Sequence, residues 1–227
     1  IWLSLIWSLV TLSSGVHFWL KHSDFKVDVS PLKYYPKVTI VVPAHNEDVV
    51  IAQTARAILD MNYPHDKVEL LLFADNCEDD TYQEMLNVKA MSEYATRDIT
   101  ITDRKWTGGK AGVLNDALKI AKGDYICVYD ADAMPEKNAL YFLVKKVLED
   151  PERHVASFGR NKTRNANQNF LTRCINQEIV VTQRIQHVGM WHMFKIGRIP
   201  GTNFIINTEF VKSIGGWRNG ALTEDTD

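Results

Sequence analysis

Asp130-Ala131-Asp132 closes the apolar run Tyr125-Ile126-Cys127-Val128-Tyr129, and it sets two carboxylates where they can do chemistry. Separated by one small residue, the two acids can face a single hard divalent cation, Mg2+ or Mn2+. Such an ion keeps several waters and takes its remaining ligands from substrate phosphates. Its usual service is to offset charge on a departing phosphate. Aspartates also favour turns for local hydrogen-bonding reasons, so the pair alone is equally that of a plain turn. Thr107-Gly108-Gly109-Lys110 precedes a helical pattern. A glycine-rich loop at a helix N-terminus receives phosphate on its backbone N–H groups, and Lys110 adds a positive charge there. The spacing is not that of a P-loop, and an ordinary turn at a helix start has the same composition. Thr223-Glu224-Asp225 is a third candidate. A carboxylate in a cleft can take a proton from a hydroxyl, while a helix capped by Thr223 with acids in its first turn accounts for the same residues.

The elements that must position these groups alternate. Val38-Thr39-Ile40-Val41-Val42, stopped by Pro43, predicts a strand, as do 68–73, 99–102, 125–129, 154–158 and 203–206. Helices are expected over 47–60, 80–95, 110–121 and 140–148, with a long amphipathic stretch over 167–190. Continuous apolar runs suit strands buried on both faces of a parallel sheet, so the fold class is α/β with a mainly parallel sheet. In such sheets ligands bind outside the carboxyl ends of the strands. Here those ends carry Pro43-Ala44-His45-Asn46-Glu47, then Asp75, Asn76, Glu78, Asp79 and Asp80, then Asp130 and Asp132.

The chain of 227 residues carries 26 Lys+Arg against 28 Asp+Glu, a net charge of −2 that argues against a nucleic-acid partner. Cys77, Cys127 and Cys174 form neither a disulfide framework nor a metal-finger spacing, which points to a reducing, cytoplasmic setting for the folded part. Residues 1–20 contain no charged side chain and thirteen apolar ones, enough to span a bilayer as a helix. Trp2, Trp7 and Trp19 suit the interfaces, and Lys21, Lys26, Lys33 and Lys37 place the following flank on the cytoplasmic side. A mean hydropathy of −0.20 makes the remainder water-soluble in character. The chain starts at Ile1 rather than Met and stops at Asp227, so both ends are expected to be incomplete.

Taken in order, five segments resemble the family 2 glycosyltransferases of GT-A fold. They are Val38–Glu47, Ala74–Thr81, the helix Gly109-Lys110-Ala111-Gly112-Val113-Leu114-Asn115, Asp130-Ala131-Asp132, and Gly215-Gly216-Trp217 with Thr223-Glu224-Asp225. Within the family, the chain is similar to the membrane-bound branch of cellulose, chitin, hyaluronan and poly-N-acetylglucosamine synthases. The resemblance implies an inverting transfer of sugar from UDP-N-acetylglucosamine or UDP-glucose to a glycan or lipid-linked acceptor, at the cytoplasmic face of the cell membrane. It also implies roles. Ala44, Glu47, Asp75, Lys110 and Asp130 bind the nucleotide donor, with Asp75 accepting the uracil N–H. Asp130 and Asp132 hold Mg2+ or Mn2+, and Asp225 is the catalytic base. Gly201, Thr202, Asn203, Thr223 and Glu224 lie on the acceptor side, and Arg104 reaches a phosphate. The expected organisation is a transmembrane helix over 1–21, a cytoplasmic linker over 22–37 and a GT-A domain over 38–227. The branch's Gln-x-x-Arg-Trp segment is absent from the sequence, so processivity is not legible in it. Two rivals stand beside this reading. A nucleotidyltransferase needs a basic glycine-rich loop after the first strand, where Pro-Ala-His-Asn-Glu stands instead. An inactive membrane scaffold or nucleotide-sugar sensor needs none of the carboxylates Asp130, Asp132 and Asp225.

Overall fold

The computed structural model describes residues 2–23 and 28–218. In chain order the elements begin with α1 (Trp2–Lys21), β1 (Val38–Ala44), α2 (Asp48–Leu59), β2 (Val68–Asp75), α3 (Thr81–Lys89), β3 (Asp98–Arg104) and α4 (Gly109–Ile120). They continue with β4 (Tyr125–Val128), α5 (Ala139–Leu148), β5 (Ala156–Phe158), α6 (Phe170–Val181), α7 (His187–Phe194), β6 (Phe204–Asn207) and α8 (Thr208–Ser213). Contacts divide the chain into two compact units. One is Leu32–Gly159 with the residues from Ile199 onward, and the other is Ile1–Pro31 with Arg160–Arg198.

The first unit is a six-stranded sheet in the order β3-β2-β1-β4-β6-β5. Strands β3, β2, β1 and β4 are parallel, and β6 runs antiparallel to β4 and β5. The unit is α/β with a mainly parallel sheet, as the sequence predicts. Helices cover both faces, which is why every residue of β2 is buried and its sequence is a near-continuous apolar run. Along β1 the side chains alternate. Val38, Ile40 and Val42 join Ile51, Ala55 and Ile58 of α2 and Leu140, Leu143 and Val144 of α5. Val41 joins Leu71 and Phe73 of β2 and Val113, Leu114 and Ala117 of α4 on the opposite face.

A buried charge sits within this sheet. Glu69 is almost wholly inaccessible, yet it accepts from Thr39 Oγ1 at 2.6 Å and Lys122 N at 2.9 Å and pairs with Lys122 Nζ at 3.0 Å. Its charge is therefore bonded rather than stranded.

Two of the boundaries that differ from those the sequence predicts have a local cause. Pro43 does not stop β1 but lies inside it, opposite Phe73. The ladder to β4 ends at Val41 and Val128, with Tyr129 N donating to Val41 O at 3.1 Å. Position 43 faces the same way two residues later, beyond that ladder, so its missing N–H costs no bond. The helix expected over 80–95 ends at Lys89. Met91 is extended, a single turn Ser92–Tyr94 follows, and the Tyr94 hydroxyl bonds Asp60 at 3.2 Å.

The second unit is helical. The 20-residue α1 is long and apolar enough to cross a membrane, by length and composition. The stretch from Phe170 to Phe194 is helical throughout, with a segment of wider turns at Thr182–Gln186 between α6 and α7. Asn169 and Thr172 start it with a reciprocal capping box. Small residues join the pieces. A Cβ on Gly15 would fall 2.6 Å from Ile185 O, and one on Gly189 would fall 2.5 Å from Gly15 N.

Candidate active site

The parallel register brings the carboxyl ends of four strands to one edge. Ala44 pairs with Ala74, Asp75 pairs with Arg104, and Asp130 follows β4 by two residues. A pocket of about 190 Å³ opens there, lined by Pro43, Ala44, His45, Asp75, Lys110 and Asp130.

The loops after β1 and β2 hold one another. Asn46 and Asn76 both take left-handed backbone, with φ of 55° and 53°, a conformation asparagine tolerates better than most residues. Asn46 Oδ1 accepts from Glu78 N at 2.8 Å, and the His45 Nδ1 position is 2.7 Å from Asp75 O. Thr81 Oγ1 accepts from Glu47 N at 2.7 Å, while Asp79 accepts from Asp48 N at 3.2 Å. These bonds place Glu47 at the N-terminus of α2, half-buried.

Lys110 lies in the first turn of α4, after Gly108 and Gly109, whose φ of 107° and 52° suit glycine. Its Nζ donates to Asp130 Oδ1 at 2.8 Å and to Gly201 O at 2.7 Å. Thr202 Oγ1 accepts from Asp130 N at 2.9 Å, Asn203 N donates to Val128 O at 2.8 Å, and Thr54 Oγ1 donates to Ala131 O at 2.7 Å. The Asp130–Asp132 turn is thereby fixed from three directions. Asp132 is exposed beyond it.

The Glu47 carboxyl is raised above its ordinary value, first by burial and then by the charges of Asp132, Asp79 and Asp130. Acids close enough to oppose one another's ionisation fit a hard cation. Among the described residues no three ligating side chains surround one point. Asp130 and Asp132, two residues apart at this edge, are oxygen donors of the kind that suits a hard cation completed by water and substrate oxygens.

Arg104 corrects one expectation. Its guanidinium is buried and does not line the pocket. Nη1 donates to Asp75 Oδ1 at 2.6 Å, Nε to Asp116 Oδ2 at 2.8 Å, and Nη2 to Thr107 O at 2.8 Å. A group so engaged is not available to a phosphate. Burial would lower the Arg104 pKa, but the hydrogen bonds to Asp116 and Asp75 outweigh it and the pKa is raised.

Of the residues singled out from sequence, Ala44, Asp75, Lys110 and Asp130 meet at the pocket. Gly201 and Thr202 are bonded to two of them, and Asn203 immediately precedes β6. Thr223, Glu224 and Asp225 lie outside the described residues. Sequence reasoning missed Asn115. Its Oδ1 accepts from Trp217 N at 2.8 Å and its Nδ2 donates to Trp217 O at 2.7 Å, tying α4 to the Gly215-Gly216-Trp217 segment. The available signal was its place in the Lys-Ala-Gly-x-Leu-Asn helix, which by itself does not say what the amide holds.

Residues 39–215 match the sequence model of the family described as Glycosyl transferase family 2. The chain is 38% identical over 229 aligned residues to "Probable glycosyltransferase YdaM" of Bacillus subtilis, covering 100% of this chain and 54% of that protein. It is 31% identical over 196 residues to "Beta-monoglucosyldiacylglycerol synthase" of Trichormus variabilis, covering 85% of this chain and 40% of that protein. The chain thus spans about half the length of these relatives or less. Among solved structures, it is similar in fold to mannosyltransferase PcManGT from Pyrobaculum calidifontis in complex with GDP-Man and Mn2+. That likeness has a TM-score of 0.68 at 21% identity and covers 97% of this chain and 60% of the other.

Proposed function

The chain belongs to glycosyl transferase family 2, and from that premise we propose that it carries the donor-binding part of an inverting glycosyltransferase. The transfer runs from a nucleoside-diphosphate sugar, UDP-glucose or UDP-N-acetylglucosamine, to a hydroxyl of a glycan or lipid-linked acceptor. The observation that carries this reading is the Lys110 ammonium held between Asp130 Oδ1 and Gly201 O beside the pocket. A fixed cation there offsets the charge that builds on a diphosphate leaving group. Asp75 supports a base-binding role. Its two side-chain bonds, from Arg104 and Asn76, both fall on Oδ1, which leaves Oδ2 to accept a uracil N–H.

Asp130 and Asp132 would hold Mg2+ or Mn2+, which when bound neutralises phosphate oxygens. The Mn2+ named with PcManGT supports a divalent ion in this fold. Ala44 and Glu47 shape the donor side. Asp225 takes the proton from the acceptor hydroxyl, which attacks the anomeric carbon from the face opposite the diphosphate, so a single displacement inverts the configuration. Gly201, Thr202, Asn203, Thr223 and Glu224 are assigned to the acceptor side. The glycolipid in the name of the Trichormus variabilis relative supports a lipid-linked acceptor. In this reading 1–21 spans the cell membrane, 22–37 links, and the catalytic domain over 38–227 lies in the cytoplasm.

The test uses the full-length protein in membranes with labelled UDP-sugars. Asp225→Asn is expected to keep donor binding and lose transfer by about 10²–10⁴-fold. Asp132→Asn should lose metal-dependent transfer to a similar degree. Turnover at the unsubstituted rate by either variant overturns its assigned role.

A further inference from the structure

The loop between β3 and α4 presents a side chain to which the donor site described above gives no role. Trp106 is 72% exposed, and Tyr34, the next most exposed Trp, Tyr or Phe of the sheet unit, is 58%. Tryptophan is highly buried on average. Single apolar side chains on a surface are nevertheless ordinary, so exposure alone assigns nothing. What sets Trp106 apart is the way its backbone is held.

Trp106 O accepts from Asn76 Nδ2 at 2.8 Å and from Arg104 Nη1 at 3.2 Å. The same two nitrogens donate to Asp75 Oδ1, at 3.1 Å and 2.6 Å. The residues on either side are tied as well. Thr107 O accepts from Arg104 Nη2 at 2.8 Å, and Lys105 Nζ donates to Cys77 O at 2.9 Å. The backbone that carries the indole is therefore fixed by the donors that fix the Asp75 carboxylate, and Asp75 lines the pocket. None of these bonds uses the indole, which is left to solvent. A side chain so exposed turns between rotamers without disturbing the fold.

We propose that Trp106 is a base-binding residue, whose indole stacks on the uracil ring that Asp75 holds by its N–H. The inference rests on the reading of this pocket as the donor site. It adds what a carboxylate cannot supply, because a hydrogen bond at the edge of the ring leaves both its faces in water. An indole covers one face with a large, rigid apolar surface. The two residues divide the recognition. Stacking accepts any base, while Asp75 selects one that offers an N–H. Since the loop backbone is already fixed, little order has to be created when the base arrives.

The test titrates the full-length protein in detergent, with Mn2+ or Mg2+ present, against two probes. UDP carries the base, and inorganic pyrophosphate does not. Trp106→Ala should weaken UDP by about 5- to 100-fold and leave pyrophosphate within about twofold. Trp106→Phe keeps an aromatic face and should hold UDP within about fivefold. It should also lose the part of the intrinsic fluorescence that UDP quenches in the natural protein. Neither substitution should move the melting temperature appreciably, as is usual for an exposed side chain. Equal UDP affinity in Trp106→Ala and the natural protein overturns the inference and leaves the donor reading standing. Parallel loss of UDP and pyrophosphate also overturns it, because the indole would then only shape the loop before Lys110. If the natural protein binds neither probe with either metal, the donor reading fails and the inference fails with it.

Discussion

Arg104 Nη1 donates to Asp75 Oδ1 at 2.6 Å, and both side chains are nearly inaccessible. The pair joins the last residues of two neighbouring strands, and the same guanidinium holds Thr107 O and Asp116. One cation therefore sets the acid proposed to read the base and the loop that delivers Lys110. A Cβ on Gly112 would fall 2.6 Å from Arg104 Nη2, so α4 packs directly on the fork.

Arg104→Met leaves the nearly inaccessible Asp75 carboxylate, at the pocket wall, without its cation. Breaking a buried pair in this way costs about 3–5 kcal/mol, so the variant should show a clear loss in urea titration. Arg104→Lys keeps the charge but cannot span three acceptors in a plane. It should recover part of the stability while donor affinity, read by UDP titration, stays at least about tenfold weak.

Lys110 separates binding from stability. Its pair with Asp130 is partly exposed, at 26% and 40% side-chain accessibility. An ion pair of that kind contributes about 0–1 kcal/mol to folding. If Lys110 instead acts on the leaving diphosphate, Lys110→Met should lower kcat by about 10²–10³-fold while its melting temperature barely moves. A loss of stability as large as the loss of rate would show the lysine to be structural.

Glu47 gives a pH-dependent test of the cation site. Its raised pKa comes from burial first and then from Asp132, Asp79 and Asp130. A carboxyl raised on folding contributes stability that is complete below the unfolded-state value and lost as pH rises through the folded-state value. At neutral pH without metal, the charged glutamate is therefore a cost. Glu47→Gln should raise the melting temperature at pH 7 by about 1–2 °C, a modest effect because solvent screens the site, and should leave it unchanged near pH 3. Mn2+ should stabilise the natural protein more at pH 7 than at pH 4, because protons compete with a metal for its ligands.

Much of this site was legible before any coordinates. The β-branched runs of β1, β2 and β4 and the polar residues beyond them placed an acidic edge on a parallel sheet, because burial on both faces leaves a plain apolar signature. The contacts that organise the edge were not legible. Lys110 reaches Asp130 only because α4 packs against Val41 and Phe73. Arg104 reaches Asp75 through strand register, which composition does not encode. Pro43 reads as a stop and is a strand residue because its neighbour's ladder ends early. The apolar spacing over 167–190 marks a helix but is silent on whether that helix packs in the sheet unit or elsewhere.

Asn115 is the contact that sequence left most obscure, and it tests how the donor side is joined to the segment before the proposed base. Its amide satisfies both backbone groups of Trp217 at 2.7 and 2.8 Å, and Gly216 sits beside it at φ 84°. A Cβ on Gly216 would fall 2.4 Å from Asn115 Oδ1, so the approach requires glycine. Asn115→Asp keeps the acceptor for Trp217 N but sets a carboxylate oxygen against Trp217 O. Asn115→Ala removes both bonds, at about 1 kcal/mol each. If this tether only stabilises the fold, the two variants should lose rate in proportion to stability. If it positions the chain that follows Trp217, both should keep UDP affinity within about twofold and lose acceptor-dependent turnover by at least about tenfold, as misplacing a reacting group does. Equal loss of donor hydrolysis and of transfer would sink the positioning role and leave Asn115 a structural clamp.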